Sequence, residues 1–195
     1  MGELQTFHTR KYLKLKNSNP DWIAFETIPC ALECLSILSL LREDKNVSCP
    51  VWISFACRDG RHLNDGGLLS DALDLIWQND VDSTLVAGVG VNCCSSENLL
   101  DLVKVIVHHE VIQSSLIRAI MFYPNRGETW DPVKECWLHE SGTNCKTLSA
   151  SIVRAIEYVD QATNRKISMI VGGCCRTDPK YISYIRASLN FSGIM

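Results

Sequence analysis

Long apolar runs are missing from this 195-residue chain. None approaches the roughly 20 residues that a bilayer-spanning helix needs, so no membrane span is expected. The opening stretch, Met1-Gly-Glu-Leu-Gln-Thr-Phe-His-Thr-Arg10, has no signal-peptide core. Positive charge is not in excess: 19 Lys and Arg stand against 22 Asp and Glu, a net charge of −3. A general nucleic-acid binder shows a basic face, so nucleic acid is not an expected partner. Cys-x-x-Cys does not occur, which argues against a redox-active dithiol protein. Ala87-Gly-Val-Gly90 lacks the third glycine of a dinucleotide fingerprint, and no glycine loop of the S-adenosylmethionine type is present. Linkers and low-complexity segments are also absent.

Cysteine, by contrast, is abundant, with ten residues. Secreted disulfide scaffolds are usually much shorter and place their cysteines in loops. Here Cys57, Cys93, Cys94, Cys174 and Cys175 end apolar, strand-like runs, whereas Cys30 and Cys34 fall in a helix-like segment. A reducing cytoplasmic setting follows as the expectation. Two doublets stand out: Leu85-Val-Ala-Gly-Val-Gly-Val-Asn-Cys93-Cys94 and Ile167-Ser-Met-Ile-Val-Gly-Gly-Cys174-Cys175. Thiolates from two strand ends can meet around one soft metal ion, and three thiolates on zinc leave a fourth position open for chemistry.

The chain alternates short apolar runs with amphipathic ones. Strands are expected at Trp22–Phe25, Val51–Ala56, Thr84–Val91, Leu116–Phe122 and Ile167–Val171. Helices are expected over Ala31–Arg42, Leu69–Gln78, Ser95 to about His109, Leu148–Gln161, and from Asp178-Pro179 to about Leu189, with Asp178 as the cap. The stretch from Glu128 to Asn144 has no clean period and reads as a long loop. Five β-α units with continuous apolar strands indicate an α/β fold with a parallel sheet covered by helices. In such folds sites form at the carboxyl ends of strands. Glu26, Cys57, Asn92, Cys93, Tyr123, Asn125, Cys174 and Cys175 all follow strands, so the chemistry is expected on one face. The histidines (His8, His62, His108, His109 and His139) show no ligand spacing, and most read as surface residues.

Four segments, each at an expected strand end, resemble the zinc-dependent homocysteine S-methyltransferases in order and spacing. They are Phe25-Glu-Thr-Ile-Pro29, Val89-Gly-Val-Asn-Cys93, Tyr123-Pro-Asn-Arg-Gly-Glu128 and Gly172-Gly-Cys-Cys-Arg-Thr177. The match runs from about Phe7 to the C-terminus. The resemblance implies parallel (β/α) units of a TIM barrel, with about five of eight units present. Residues 1–195 then form a homocysteine-binding domain that lacks its N-terminal β-α units. The Asp-Gly-Gly motif of the family's first strand is not found before Glu26, and Asp65-Gly-Gly67 follows the second expected strand instead. A whole barrel typically needs about 250 residues, so a truncated product, an alternative form or an incomplete gene model is expected.

The resemblance further implies a Zn2+ held by Cys93, Cys174 and Cys175, with no catalytic residue beyond the metal site. It places Glu26 against the amino group of homocysteine, gives Asn92 a ligand-orienting or substrate role, and sets Tyr123 and Asn125 along the pocket. Homocysteine and a sulfonium methyl donor are the implied partners. The Tyr-Pro-Asn pattern is closer to members using S-methylmethionine or S-adenosylmethionine than to the betaine-using branch. A catalytically inactive remnant that keeps the zinc thiolates is the alternative.

The residues by themselves leave plainer alternatives open. Free cysteines are commonly small buried apolar residues. Glu26 also suits a solvated loop, Asn92 a turn, and Pro124 by itself explains a structural turn. Neighbouring strand residues face opposite ways, so Cys94 is expected to pack away from Cys93, and Cys174 and Cys175 share an ion only if the backbone turns there. Gly172-Gly173 is expected to supply that freedom.

Overall fold

The computed structural model describes residues 2–44, 46–47, 49–80, 84–114, 117–128, 130–131, 133–138, 142–164 and 167–191. The chain begins with α1 (Gly2–Lys16), β1 (Ile23–Ile28), α2 (Ala31–Glu43), β2 (Val51–Phe55) and α3 (Leu69–Asn79). It continues with β3 (Gly88–Ser95), α4 (Leu99–Val107), the short α5 (Glu110–Gln113) and β4 (Ala119–Asn125). The two-residue strands β5 (Trp130–Asp131) and β6 (Cys136–Trp137) precede α6 (Cys145–Thr163), β7 (Ser168–Val171) and α7 (Pro179–Phe191).

Five strands form one sheet in the order β1-β2-β3-β4-β7, and every neighbouring pair is parallel. The helices lie side by side in chain order, α1 on α2, α2 on α3, α3 on α4, α4 on α6 and α6 on α7. Alternate strand residues explain the layering. Val51, Ile53, Phe55, Val89, Val91, Ile120 and Phe122 are fully buried and join Ile37, Leu41, Leu73, Ile76, Leu102, Ile106, Ile152 and Val159 of the helices in one core. These are five consecutive β/α units of barrel type, as the sequence led us to expect. The inward set carries Ser54, Gly90, Asn92 and Tyr123. Gly90 is required there, because a Cβ on it would lie 1.9 Å from the carbonyl oxygen of Met121.

β1 runs on from Phe25 to Ile28, α4 starts at Leu99 rather than Ser95, and β3, β4 and the segment after β4 also differ from expectation. β3 starts at Gly88 rather than Thr84, because the carboxylate of Asp80 accepts from the N–H groups of Thr84 (2.9 Å) and Val86 (2.8 Å) and curls the approach. β3 then runs on through Cys93 to Ser95. β4 is displaced in the same direction, and Leu116 lies outside the described residues. The stretch expected as a plain loop after Tyr123 contains the antiparallel pair β5–β6.

α1 had no clear signal in the sequence. Its Phe7, Leu13 and Leu15 are about half exposed, so no apolar stripe marks it, and it buries only His8 and Tyr12. Only His108 of the described histidines is exposed; His8 is buried against Glu33 at 2.8 Å, and the part-buried His62 and His109 pair with Asp59 and Asp74 at 2.9 and 3.1 Å. His139 lies outside the described residues. The start of α7 is as expected: the Asp178 carboxylate accepts from the N–H of Lys180 at 2.8 Å and of Tyr181 at 3.3 Å.

Candidate metal centre

The carboxyl end of β3 carries the first thiol. Pairing with β4 is regular from Gly88 to Asn92 and then skips to Ser95 opposite Asn125. At the skip Cys93 takes φ 52°, a left-handed conformation that a side chain normally avoids. The bulge separates the two cysteines: Cys94 enters the core at 1% exposure, while Cys93 stays half-buried at the strand mouth. Burial pushes the Cys94 thiol up to about 12, so it remains a packed thiol, as expected. Cys57 is likewise buried with its thiol raised by burial. Asn125 steadies the bulge by donating from Nδ2 to the carbonyl of Cys93 at 3.1 Å.

The second doublet follows β7. The Cys174 N–H donates to the Pro124 carbonyl at 2.9 Å, and the Arg126 N–H donates to the Cys175 carbonyl at 3.0 Å. The chain therefore stays beside the end of β4 and then turns. The turn does not use left-handed glycine; the positive φ of 65° falls on Arg176. Gly173 matters for room instead. A Cβ there would lie 2.3 Å from Oγ1 of Thr177, whose hydroxyl and N–H both bond the Cys174 carbonyl, at 2.6 and 3.2 Å.

These two loops bring three sulfurs together. Sγ of Cys93 lies 3.0 Å from Sγ of Cys174 and 3.3 Å from Sγ of Cys175, and all three lie within 4.8 Å of one another. Hydrogen bonding from Cys93 lowers the Cys174 thiol despite burial, aided by the Cys175 N–H and Asn92. Its bond to Cys174, and then burial, raises the Cys93 thiol. The two thiols share a hydrogen bond, and holding a cation requires both as thiolates.

The donor set fits zinc. Three soft thiolates suit it, and tetrahedral thiolates at about 2.3 Å from zinc stand roughly 3.8 Å apart, so the sulfurs need spread by less than about 1 Å. Cys175 is exposed, which leaves one side of the cluster open to solvent.

A ring of hydrogen bonds borders the cluster. The exposed carboxylate of Glu26 on β1 accepts from the Tyr123 hydroxyl of β4 at 2.9 Å. The single hydrogen of that hydroxyl is shared between Glu26 and Ser54 Oγ of β2, 2.7 Å away, and Ser54 donates to Asn92 Oδ1 of β3 at 2.8 Å. Asn92 Oδ1 also accepts from the Thr27 N–H at 2.9 Å, and its Nδ2 donates to Thr27 Oγ1 at 2.7 Å. Thr27 adjoins Glu26, so the ring closes. Burial lifts the Tyr123 phenol to about 12, which keeps it a donor.

Glu26, Asn92, Tyr123 and Asn125 are therefore gathered at the same strand ends as the cysteines. Sequence reasoning missed Thr27 and Ser54. Ser54 left a trace as a lone hydroxyl between Ile53 and Phe55, whereas a left-handed threonine leaves none.

Fold and cluster together define a barrel-type α/β protein with three converging thiols able to hold a metal ion. Known proteins agree with that class. The profile of the homocysteine S-methyltransferase family matches residues 1–189. Homocysteine S-methyltransferase 2 of Zea mays is 32% identical over 189 residues, covering 97% of this chain and 50% of the relative. Selenocysteine methyltransferase of Astragalus bisulcatus is 31% identical over 179 residues, covering 92% and 47%. The metallated form of the homocysteine methyltransferase MmuM from Escherichia coli superposes with a TM-score of 0.65 at 25% identity, over 95% of this chain and 51% of that one. This chain belongs to the homocysteine S-methyltransferase family, and it spans about half the length of the curated relatives it matches.

Proposed function

We propose that this chain carries the metal-binding half of a homocysteine S-methyltransferase site. In this reading Cys93, Cys174 and Cys175 hold a zinc ion, and homocysteine receives a methyl group from a sulfonium donor, giving methionine. S-methylmethionine and S-adenosylmethionine are the donors assigned. The observation that supports the reading is the convergence of the three sulfurs within 4.8 Å. Zinc, when bound, makes a coordinated thiol acidic enough to be a thiolate at neutral pH.

The remaining work falls to this chain's own side chains. Glu26 offers a carboxylate to the ammonium of the amino acid, and the Tyr123 hydroxyl holds that carboxylate in place. Asn125 completes the substrate side of the site and the buried Asn92 orients a ligand, each bonded to a segment that carries one. Orientation is the main requirement for an in-line transfer between two sulfurs. A selenolate acceptor, as in the relative named a selenocysteine methyltransferase, meets the same requirement. Residues 1–195 act as one homocysteine-binding unit in this reading. A reducing cytoplasm is the setting assigned, where thiols stay free to bind metal. No helix among the described residues is long and apolar enough to cross a membrane.

A second reading has its own observation. β1 and β7 end the sheet and have no further strand beside them among the described residues. Open edges of this kind invite pairing. In that reading the chain binds metal and does not turn over.

Metal analysis of the purified chain, followed by a homocysteine methylation assay with each donor, separates the two. Zinc with methionine formation supports the first reading, and zinc without it supports the second. A chain that binds no zinc overturns both.

A further inference from the structure

Asn92 is 1% exposed, and its side-chain amide is fully committed within the protein. Oδ1 accepts from the Thr27 N–H at 2.9 Å and from the Ser54 hydroxyl at 2.8 Å. Nδ2 donates to Thr27 Oγ1 at 2.7 Å and points its other hydrogen at Sγ of Cys174, 3.8 Å away. A primary amide has two acceptor lone pairs and two donor hydrogens, and all four are used. The orientation of the amide is not arbitrary either. A backbone N–H can only donate, so the oxygen must face Thr27, and the nitrogen is left facing the sulfur.

Thr27 is the other half of the arrangement. It takes φ 61°, a left-handed conformation that a β-branched residue adopts only under constraint. The pairing of β1 with β2 explains where the constraint acts. Phe25 faces Ile53 and Ile28 faces Phe55, so Glu26 and Thr27 together oppose Ser54 alone. This is a bulge, which re-aims the side chains around it. The bulge frees Glu26 to reach Tyr123. Asn92 holds it by both the N–H and the hydroxyl of Thr27.

We propose that Asn92 and Thr27 are positioning residues forming a clasp, which fixes the Cys174 sulfur and the Glu26 carboxylate relative to each other. The clasp rests on the proposed function for its purpose. One amino-acid substrate is held by its sulfur at the thiolate cluster and by its ammonium at Glu26, so the two groups need a fixed separation. The amide reaches the sulfur side by a direct N–H···S contact and the carboxylate side through the strained backbone of Thr27. Asn92 acts through both and touches neither substrate nor reacting atoms.

The test uses the full chain loaded with zinc or Co2+. Zinc affinity is read by competition with a chromophoric chelator, and geometry by the thiolate-to-cobalt absorption bands. Asn92→Ala is expected to weaken zinc about ten- to hundredfold, the usual loss for an outer partner of a metal ligand, and to shift the cobalt bands. Thr27→Gly accepts the left-handed backbone without strain but removes the hydroxyl, and is expected to shift the bands in the same direction. Thr27→Ser restores the hydroxyl and is expected to restore the unsubstituted spectrum.

Folding of each variant is checked by its unfolding midpoint. If Asn92→Ala does not fold, the Thr27→Gly and Thr27→Ser pair decides. Unchanged affinity and bands in folded Asn92→Ala, or in Thr27→Gly, overturn the clasp while leaving the metal reading intact. An unsubstituted chain that binds neither ion overturns the metal reading first, and the clasp with it.

Discussion

The sulfurs of Cys93 and Cys174 lie 3.0 Å apart although 81 positions separate them in the chain. Nothing local links them; they meet because β3 and β7 both end beside the last residues of β4. Cys93→Ser and Cys174→Ser are each expected to cost more zinc affinity than the ~10–100-fold typical of losing an outer partner. Chelator competition measures this. Affinity within a factor of about two of the unsubstituted chain would remove either residue from the ligand set.

Cys94 provides the internal control. It neighbours Cys93 in sequence but is buried in the core. Cys94→Ser places a hydroxyl there and is expected to cost about 1–3 kcal/mol in urea unfolding, with zinc stoichiometry unchanged. Loss of zinc without loss of stability would contradict the packing role.

Gly173 is where the turn that presents Cys174 is tightest. Gly173→Ala sets a methyl group against Thr177 Oγ1, 2.3 Å from the added carbon. The Thr177 hydroxyl must then release the Cys174 carbonyl. Zinc affinity should fall on the order of tenfold with circular dichroism unchanged, as for disturbed support of a ligand. The same change at Gly172, whose Cβ would meet only Tyr123 Cβ at 3.8 Å, should have little effect.

Tyr123 ties β4 to both Ser54 and Glu26. Tyr123→Phe removes that shared hydroxyl and is expected to destabilise the fold by about 1 kcal/mol. Calorimetry on the zinc-loaded chain should also show weaker homocysteine binding, because the Glu26 carboxylate is left free to swing into water. Binding as tight as in the unsubstituted chain would take Tyr123 out of the site.

Acid should loosen the contact between α1 and Asp44. Burial raises the carboxyl of Asp44, but hydrogen bonds from Lys16, Tyr12 and the Asn46 N–H outweigh it and hold the group below its usual 3.8. A carboxyl depressed by folding contributes stability that is present above its unfolded pKa and lost as pH falls through the folded value. The urea midpoint should therefore fall more for the unsubstituted chain than for Asp44→Asn as pH drops from about 5 to about 2. Parallel curves would show that the Lys16–Asp44–Tyr12 contact contributes no stability.

The amino-acid order was enough to determine the parallel β/α architecture. Continuous apolar strands and periodic helices encode burial residue by residue, and burial has the same meaning wherever the element ends up. The four strand-end segments likewise marked where the chemistry gathers, because a thiol or carboxylate that follows an apolar run stands out locally. Only tertiary structure decided the rest. The assignment of Cys93 to the cluster and Cys94 to the core was legible, but the bulge that carries it has a left-handed φ with no propensity signal. The ring through Thr27, Ser54 and Asn92 exists because four strands lie in register, and register is a property of neighbours that no single stretch of sequence contains.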